Sequence, residues 1–426
     1  MFRNTLLNFA ALALFTSSVF VACGPAGSGE DSQAPNQPRV PQQWLVSLDI
    51  PGTDLPFVLE EDWDNPGELL IRNGAEELST GLVEVEGDSV TIPLNIFRSY
   101  IRYARLDREG GGKGYWHRES RGDYRIPLTI TENPERRFHG AIKAGLEPWL
   151  GQDWKVWFIA DGDSSLALGR FEAADHVQTA SASDVVGTFL TPTGDYRFLE
   201  GDLVGDSLYL SCFDGSHAFL FTAGLTAEGD LAGEFRSGKH WREDWTASRD
   251  PEFCLPDPDS LTQMRAGENQ LDFCFPDLDG TELCLADSRW KDKVLLVQVM
   301  GSWCPNCMDE TSFYRQMYDR YHDQGLEIIS LAYEAGRSPD SWRKGVSRLV
   351  DHFEIPWPVL LAGPASKSEA SASLPQLTDI TSFPTSIFID RDGRVVRIHT
   401  GFTGPATGED YRKFVARFHE TMESLL

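Results

Sequence analysis

Lys293-Val-Leu-Leu-Val-Gln-Val-Met300, then Gly301-Ser302-Trp303-Cys304-Pro305-Asn306-Cys307, then Met308-Asp-Glu-Thr-Ser-Phe-Tyr-Arg-Gln-Met-Tyr-Asp-Arg-Tyr321, is the stretch that decides the fold of the C-terminal part of the chain. The apolar run reads as a buried strand, and the last segment reads as a helix with Phe313, Met317 and Tyr321 on its inner face. Two thiols therefore stand where a strand gives way to a helix. A sulfur at the first of these places sits over unpaired backbone N–H groups at the positive end of the helix dipole, which favours the thiolate. Cys304 is the expected nucleophile. Cys307, one turn on and facing the same side, is the expected resolving thiol, able to attack a mixed disulfide formed at Cys304. Pro305 suits the first helical turn, where a missing N–H costs nothing.

A zinc site needs more ligands than one Cys-x-x-Cys supplies, and no second such pair or close Cys/His pair follows, so no metal is expected. A structural staple is also a poor reading, since so short a ring constrains the unfolded chain little. Downstream, Leu326-Glu-Ile-Ile-Ser-Leu-Ala-Tyr333 reads as a second strand, and Ser338-Pro339 opens a helix. Pro358-Val-Leu-Leu361 reads as a short strand, and Ser366 to Leu374 as a helix. Asp392-Gly393 turns one apolar run into another, and an amphipathic helix starts near Glu409. Alternating strands and helices ending in a hairpin and a helix predict a mixed sheet covered on both faces.

Residues 267–426 resemble the TlpA-like thiol:disulfide oxidoreductases, extracytoplasmic members of the thioredoxin superfamily. The resemblance is carried by Trp303-Cys-Pro-Asn-Cys307, Glu310, Phe383-Pro384-Thr385 ahead of a strand ending at Asp390, and Asp392-Gly393. It implies an α/β thioredoxin-like fold, Cys304 and Cys307 as the redox pair, and substrate contact at Trp303, Phe383 and Pro384, with Pro384 cis beside the disulfide. It also implies that Glu310 relays a proton to or from Cys307, a role its place one turn along the same helix permits. No cofactor is implied. Gln298 stands where thioredoxin has an acid, which shifts proton handling to Glu310 or to water, and Thr311-Ser312 stands where the family often has a proline. Peroxidase chemistry is disfavoured because Gly301 occupies the place of the peroxiredoxin threonine.

The first 22 residues, Met1-Phe-Arg-Asn-Thr-Leu-Leu through Ala22, read as a signal peptide: one early positive charge, then an apolar stretch broken by Asn8, Thr16, Ser17 and Ser18. Val21-Ala22-Cys23-Gly24 resembles a bacterial lipoprotein processing site, with Cys23 as the lipidated residue. Residues 23–43, rich in Pro, Gly and polar side chains, form a tether. Setting Cys23, Cys304 and Cys307 aside, the seven cysteines leave Cys212, Cys254, Cys274 and Cys284. A hairpin around Asp279-Gly280 would bring Cys274 and Cys284 opposite each other as a structural disulfide, one of three possible pairings.

Residues 44–258 read as an all-β domain, an antiparallel sandwich or barrel, from short alternating runs such as Lys155-Val-Trp-Phe-Ile159 and His217-Ala-Phe-Leu-Phe-Thr222 separated by Gly-Asp turns. It also hints at repetition. Arg72-Asn-Gly74 with Gly87-Asp88-Ser89 matches Thr193-Gly194 with Gly205-Asp206-Ser207 at an offset of roughly 120 residues. Its aromatics, among them Trp154, Trp157, Tyr196, Phe198, Phe213, Phe219 and Phe221, read as core. Arg136-Arg137-Phe138-His139 reads as a solvated basic loop, and His217 has no metal partners at ligand spacing. No site is assigned to this domain. A net charge of −27 disfavours nucleic acid and anionic lipid as partners, and Glu109-Gly-Gly-Gly112 lacks the helix a nucleotide loop needs.

These readings make a two-domain, lipid-anchored, periplasm-facing lipoprotein of the bacterial cell envelope. The resemblance implies that it reduces disulfides of exported proteins and is recharged by a membrane thiol electron donor. Two alternatives stay open: a disulfide oxidase or isomerase, and a β-domain binding or surface module with a redox-responsive appendage.

Overall fold

The computed structural model describes residues 41–106, 111–132, 134–138, 149–174, 183–336 and 338–426. The segment read as a signal peptide, the expected lipidation residue Cys23, nearly all of the segment read as a tether, Glu109-Gly110 and His139 lie outside the described residues. No helix among the described residues is long and apolar enough to cross a membrane.

The span read as one all-β domain holds two nine-stranded antiparallel sheets. The first contains β1 (Gln43–Ile50), β2 (Thr53–Glu61), β3 (Leu69–Asn73), β4 (Glu76–Ser79), β5 (Glu84–Glu86), β6 (Ser89–Leu94), β7 (Ser99–Arg105), β8 (Gly112–Arg118) and β9 (Arg125–Glu132). The second contains β10 (Asp153–Ala160), β11 (Asp163–Ala173), β12 (Val185–Thr191), β13 (Gly194–Asp195), β14 (Leu199–Val204), β15 (Ser207–Phe213), β16 (Ala218–Leu225), β17 (Leu231–Ser237) and β18 (Trp241–Arg249).

Both are meanders whose last strand returns to pair with the first, β9 on β1 and β18 on β10. In the second, β12 pairs with both β11 and β14, which closes a barrel. In the first, no ladder joins the β4 side to β5 among the described residues, which leaves a half-barrel. Strand for strand the two agree, and the glycine turns noticed in the sequence fall at matching places, Gly87 and Gly205 both with positive φ. The barrel interior is filled by Trp154, Phe158, Phe171, Phe189, Phe221, Phe235 and Trp245, as expected of a small barrel packed with side chains. The half-barrel completes its own core with Phe213, Ala218 and Leu220 from the outer face of β15 and β16.

The joint between the sheets corrects the reading of Arg136-Arg137 as a solvated loop. Arg137 is fully buried and pairs with the equally buried Glu200 at 2.9 Å, while donating to the Arg72 carbonyl at 2.6 Å. Arg136 pairs with Asp184 and Asp202. A guanidinium can be taken out of water here because a carboxylate and carbonyls replace its hydration.

After a hairpin of β19 (Cys274–Pro276) and β20 (Glu282–Cys284), the C-terminal domain runs β21 (Val294–Met300), α1 (Pro305–Tyr321), β22 (Leu326–Glu334), α2 (Pro339–Phe353), β23 (Val359–Pro364), α3 (Lys367–Ser373), β24 (Thr385–Ile389), β25 (Val395–Thr400) and α4 (Glu409–Leu425). Its sheet order is β23-β22-β21-β24-β25, with β21, β22 and β23 parallel and β24 and β25 antiparallel. All seven residues of β21 are buried, as a strand covered on both faces requires. Gly393, at φ 79°, makes the turn between β24 and β25 that an L side chain would strain.

Candidate active site

Cys304 is the N-cap of α1, and its Sγ accepts from the Cys307 N–H at 3.2 Å. Pro305 occupies the first turn, and the two sulfurs are paired as a disulfide. Cys307 is fully buried, whereas Cys304 keeps 6% of its surface, so approach from outside reaches Cys304 alone. Across from it, Cys304 Sγ lies 3.7 Å from the Phe383 carbonyl oxygen, and the Phe383-Pro384 peptide is cis. The Trp303 indole donates to the Tyr333 carbonyl at 2.9 Å and sets its ring edge-on to Phe383, centroids 5.8 Å apart. Gly301 is required for this: a Cβ there would press into the Trp303 indole and the Tyr333 carbonyl. Trp303, Cys304, Phe383 and Pro384 thus converge on one spot.

Behind the sulfurs runs a buried polar chain. The Trp357 indole donates to Ser330 Oγ (2.9 Å), which donates to Gln298 Oε1 (2.8 Å). Gln298 Nε2 donates to Glu310 Oε2 (2.9 Å), and Ser386 and Tyr314 donate to Glu310 Oε1 at 2.9 and 3.1 Å. Burial pushes the Glu310 carboxyl up to about 7, against the pull of these donors. The carboxylate lies in the helix beneath the thiols, and its hydrogen bonds go to Gln298, Ser386 and Tyr314, not to a sulfur. The glutamine in the acid's place is therefore a donor that helps hold Glu310. Cys274 and Cys284 sit directly opposite in β19 and β20, Cα atoms 4.1 Å apart, and are bonded. Together with Glu282 they form a cluster of metal-ligand type, but both sulfurs are committed to the disulfide. Cys212 is buried and Cys254 exposed, each free.

Residues 265–413 match the family model described as Redoxin. A thiol-disulfide oxidoreductase, ResA, of Halalkalibacterium halodurans is 26% identical over 151 residues, 35% of this chain and 77% of that protein. ResA of Geobacillus thermodenitrificans is 27% identical over 152 residues, 36% of this chain and 77% of that protein. The C-terminal domain is a Redoxin domain, similar to thiol-disulfide oxidoreductases. A solved thiol:disulfide interchange protein of Chlorobium tepidum, 23% identical and covering 34% of this chain and 94% of that one, overlays with a TM-score of only 0.26 and adds no weight.

The oxidoreductase domain does not build its site alone. Asp195 at the end of β13 and Tyr196 and Arg197 after it, with His217 just before β16 and Phe219 within it, face Trp303, Cys304, Pro305, Asn306 and Phe383 across a cleft of about 200 Å³. Backbone contact fixes the barrel there. The Gly404 N–H donates to Asp195 Oδ2 at 2.7 Å, Asn306 Nδ2 lies 3.5 Å from the Asp195 carbonyl, and a Cβ at Gly194 would run into Asn306. Arg197 is the junction of all three parts, paired with Glu76 of the half-barrel, Asp214 of the barrel at 4.0 Å and Asp309 of α1 at 2.7 Å.

The absence of any β-domain site in the sequence reading is therefore corrected. Trp154, Phe213 and Phe221 are core, but Tyr196 and Phe219 line the thiol cleft, and Trp157 is exposed. No local pattern announces them, because their partners across the cleft lie more than eighty residues away. The one available signal was a histidine three residues after an acid in a Gly-containing turn, Asp214-Gly-Ser-His217.

Proposed function

We propose that this protein is an extracytoplasmic, lipid-anchored reductase of disulfides in exported proteins, working through the Cys304/Cys307 dithiol. The observation that carries the reading is Cys304 at the N-terminus of α1, paired with a buried Cys307 and opening alone onto a cleft walled by Trp303 and Phe383. The dipole end and the Cys307 N–H favour sulfur as thiolate, the form that attacks a disulfide. Cys304 forms the mixed disulfide, and Cys307 displaces the substrate thiol and closes the ring.

The Cys274–Cys284 disulfide supports an oxidising compartment. The apolar leader and Val21-Ala22-Cys23-Gly24 support export and anchoring through Cys23. The reductive direction, and with it a membrane thiol electron donor, rests on the resemblance in residues 303–307 and 383–385. The protein without its first 23 residues, equilibrated in a glutathione or dithiothreitol series and thiol-trapped, tests it. A potential of about −250 mV or below supports the reductase, whereas about −120 mV turns the reading to an oxidase. Cys304→Ser should abolish exchange in either case.

A further inference from the structure

Thiol–disulfide exchange has a demand that the oxidoreductase domain does not visibly meet. The thiol expelled from the substrate leaves as an anion, and the higher its pKa, the slower it leaves unless a proton is supplied. Glu310 is enclosed by Gln298, Ser386 and Tyr314 behind the sulfurs. The cleft side, where the substrate lies, is walled by the barrel.

On that wall stands His217. Its Nδ1 lies 3.2 Å from Asp214 Oδ2, its ring stacks on Phe219 at 4.8 Å, and its side chain is 31% exposed, while the Asp214 carboxylate is fully enclosed. Burial pushes Asp214 up, but His217 and Arg197 beside it outweigh that and bring it down to about 2, so it stays ionised. The turn needs no imidazole, because the backbone N–H groups of Ser216 and His217 already bond Asp214 Oδ1. With Nδ1 held by the carboxylate, Nε2 is the nitrogen left for other work. His217 and Cys304 line the same cleft of about 200 Å³.

We propose that His217, oriented by Asp214, is the acid of the exchange reaction, contributed by the β-barrel to the thiols of the oxidoreductase domain. The proposal rests on the oxidoreductase reading above. The reduced site begins with Cys304 as thiolate and His217 protonated. Cys304 attacks one sulfur of a disulfide R–S–S–R′, forming the Cys304–S–R bond and breaking the S–S bond of the substrate. The leaving R′–S⁻ takes the proton from His217 Nε2 and departs as R′–SH. Cys307 then attacks Cys304 Sγ, its proton ends on R–S⁻, and the Cys304–Cys307 disulfide closes. Two electrons pass from the dithiol to the substrate, and charge balances without another reactant.

The test is leaving-group dependence in single turnovers of the reduced protein, using an aryl disulfide that expels nitrothiobenzoate and an alkyl one, hydroxyethyl disulfide. An acidic aryl thiol departs without help; an alkyl thiol does not. His217→Ala should raise the aryl-to-alkyl rate ratio by about 100-fold, the scale of a lost general acid. Asp214→Asn, which keeps the turn's acceptor but removes its charge, should move the ratio the same way by less, and it decides the matter if His217→Ala does not fold. An unchanged ratio, whether both rates fall together or neither falls, overturns the assignment of His217 while leaving the oxidoreductase reading intact. A wild-type protein that reduces neither disulfide overturns both.

Discussion

The half-barrel and the barrel follow one strand plan, nine strands each with the last returning to the first, yet only the second closes. The difference begins at the third strand. Seven-residue β12 offers backbone to β11 on one side and to both β13 and β14 on the other. Five-residue β3 is followed by Glu-Glu-Leu-Ser and Glu-Val-Glu strands too polar to bury. The open module meets the barrel there instead: Asn73 bonds both the N–H and the carbonyl of Phe213, and the Gly74 N–H donates to Glu200. Closure thus makes one copy a self-sufficient body that can present a loop to the thiols, while the open copy depends on its neighbour for its core.

The most damaging way to break that relation is Glu200→Ala. It strands the Arg137 guanidinium in a buried joint and should cost about 3–5 kcal/mol, read as a lower urea midpoint. Next comes a test of whether the oxidoreductase domain unfolds with the β modules. Glu310 titrates near 7 when folded and near its ordinary value when unfolded, so between those values the folded state holds the extra proton. Stability from this residue is therefore greatest at low pH and declines by about 3 kcal/mol as pH rises through that window. Glu310→Gln should remove the decline. If tryptophan signals from the barrel show the same pH dependence as the wild-type redox domain, the parts unfold as one.

Asn73→Ala, which leaves the Phe213 N–H and carbonyl without partners, should cost about 1–3 kcal/mol. The same change should leave the Cys304–Cys307 potential where it was. The smallest effect is expected at Gly194→Ala: Asn306 can swing its amide aside, but a φ of 153° strains an L side chain there, so stability should fall by about 1 kcal/mol. Alkylation of reduced Cys304 should nevertheless quicken a few-fold as the loop lifts. No change in alkylation would mean the barrel loop does not restrict the thiol.

Much of the oxidoreductase domain was legible because its signals are local. A run of apolar residues into Trp303-Cys304-Pro305-Asn306-Cys307 marks strand, cap and helix within thirty residues, and Ser338-Pro339 marks the start of α2 in two. The β region gave its class and a trace of its repetition, since Gly87 and Gly205 are fixed by backbone geometry and so survive where side chains differ. Arg197 and His217 were not legible. Burial of Arg197 depends on Glu76 and Asp309 arriving from opposite ends of the chain, and the meaning of His217 depends on which surface it faces. Arg137 misled for the same reason, because a charge reads as solvated until its counter-charge is known.

The ladders joining β1 to β9 and β10 to β18 bring the beginning and the end of each module to adjacent strands. A unit whose two ends leave side by side behaves as a cassette in the gene: it can be copied in tandem, excised or moved to another host without rethreading what surrounds it.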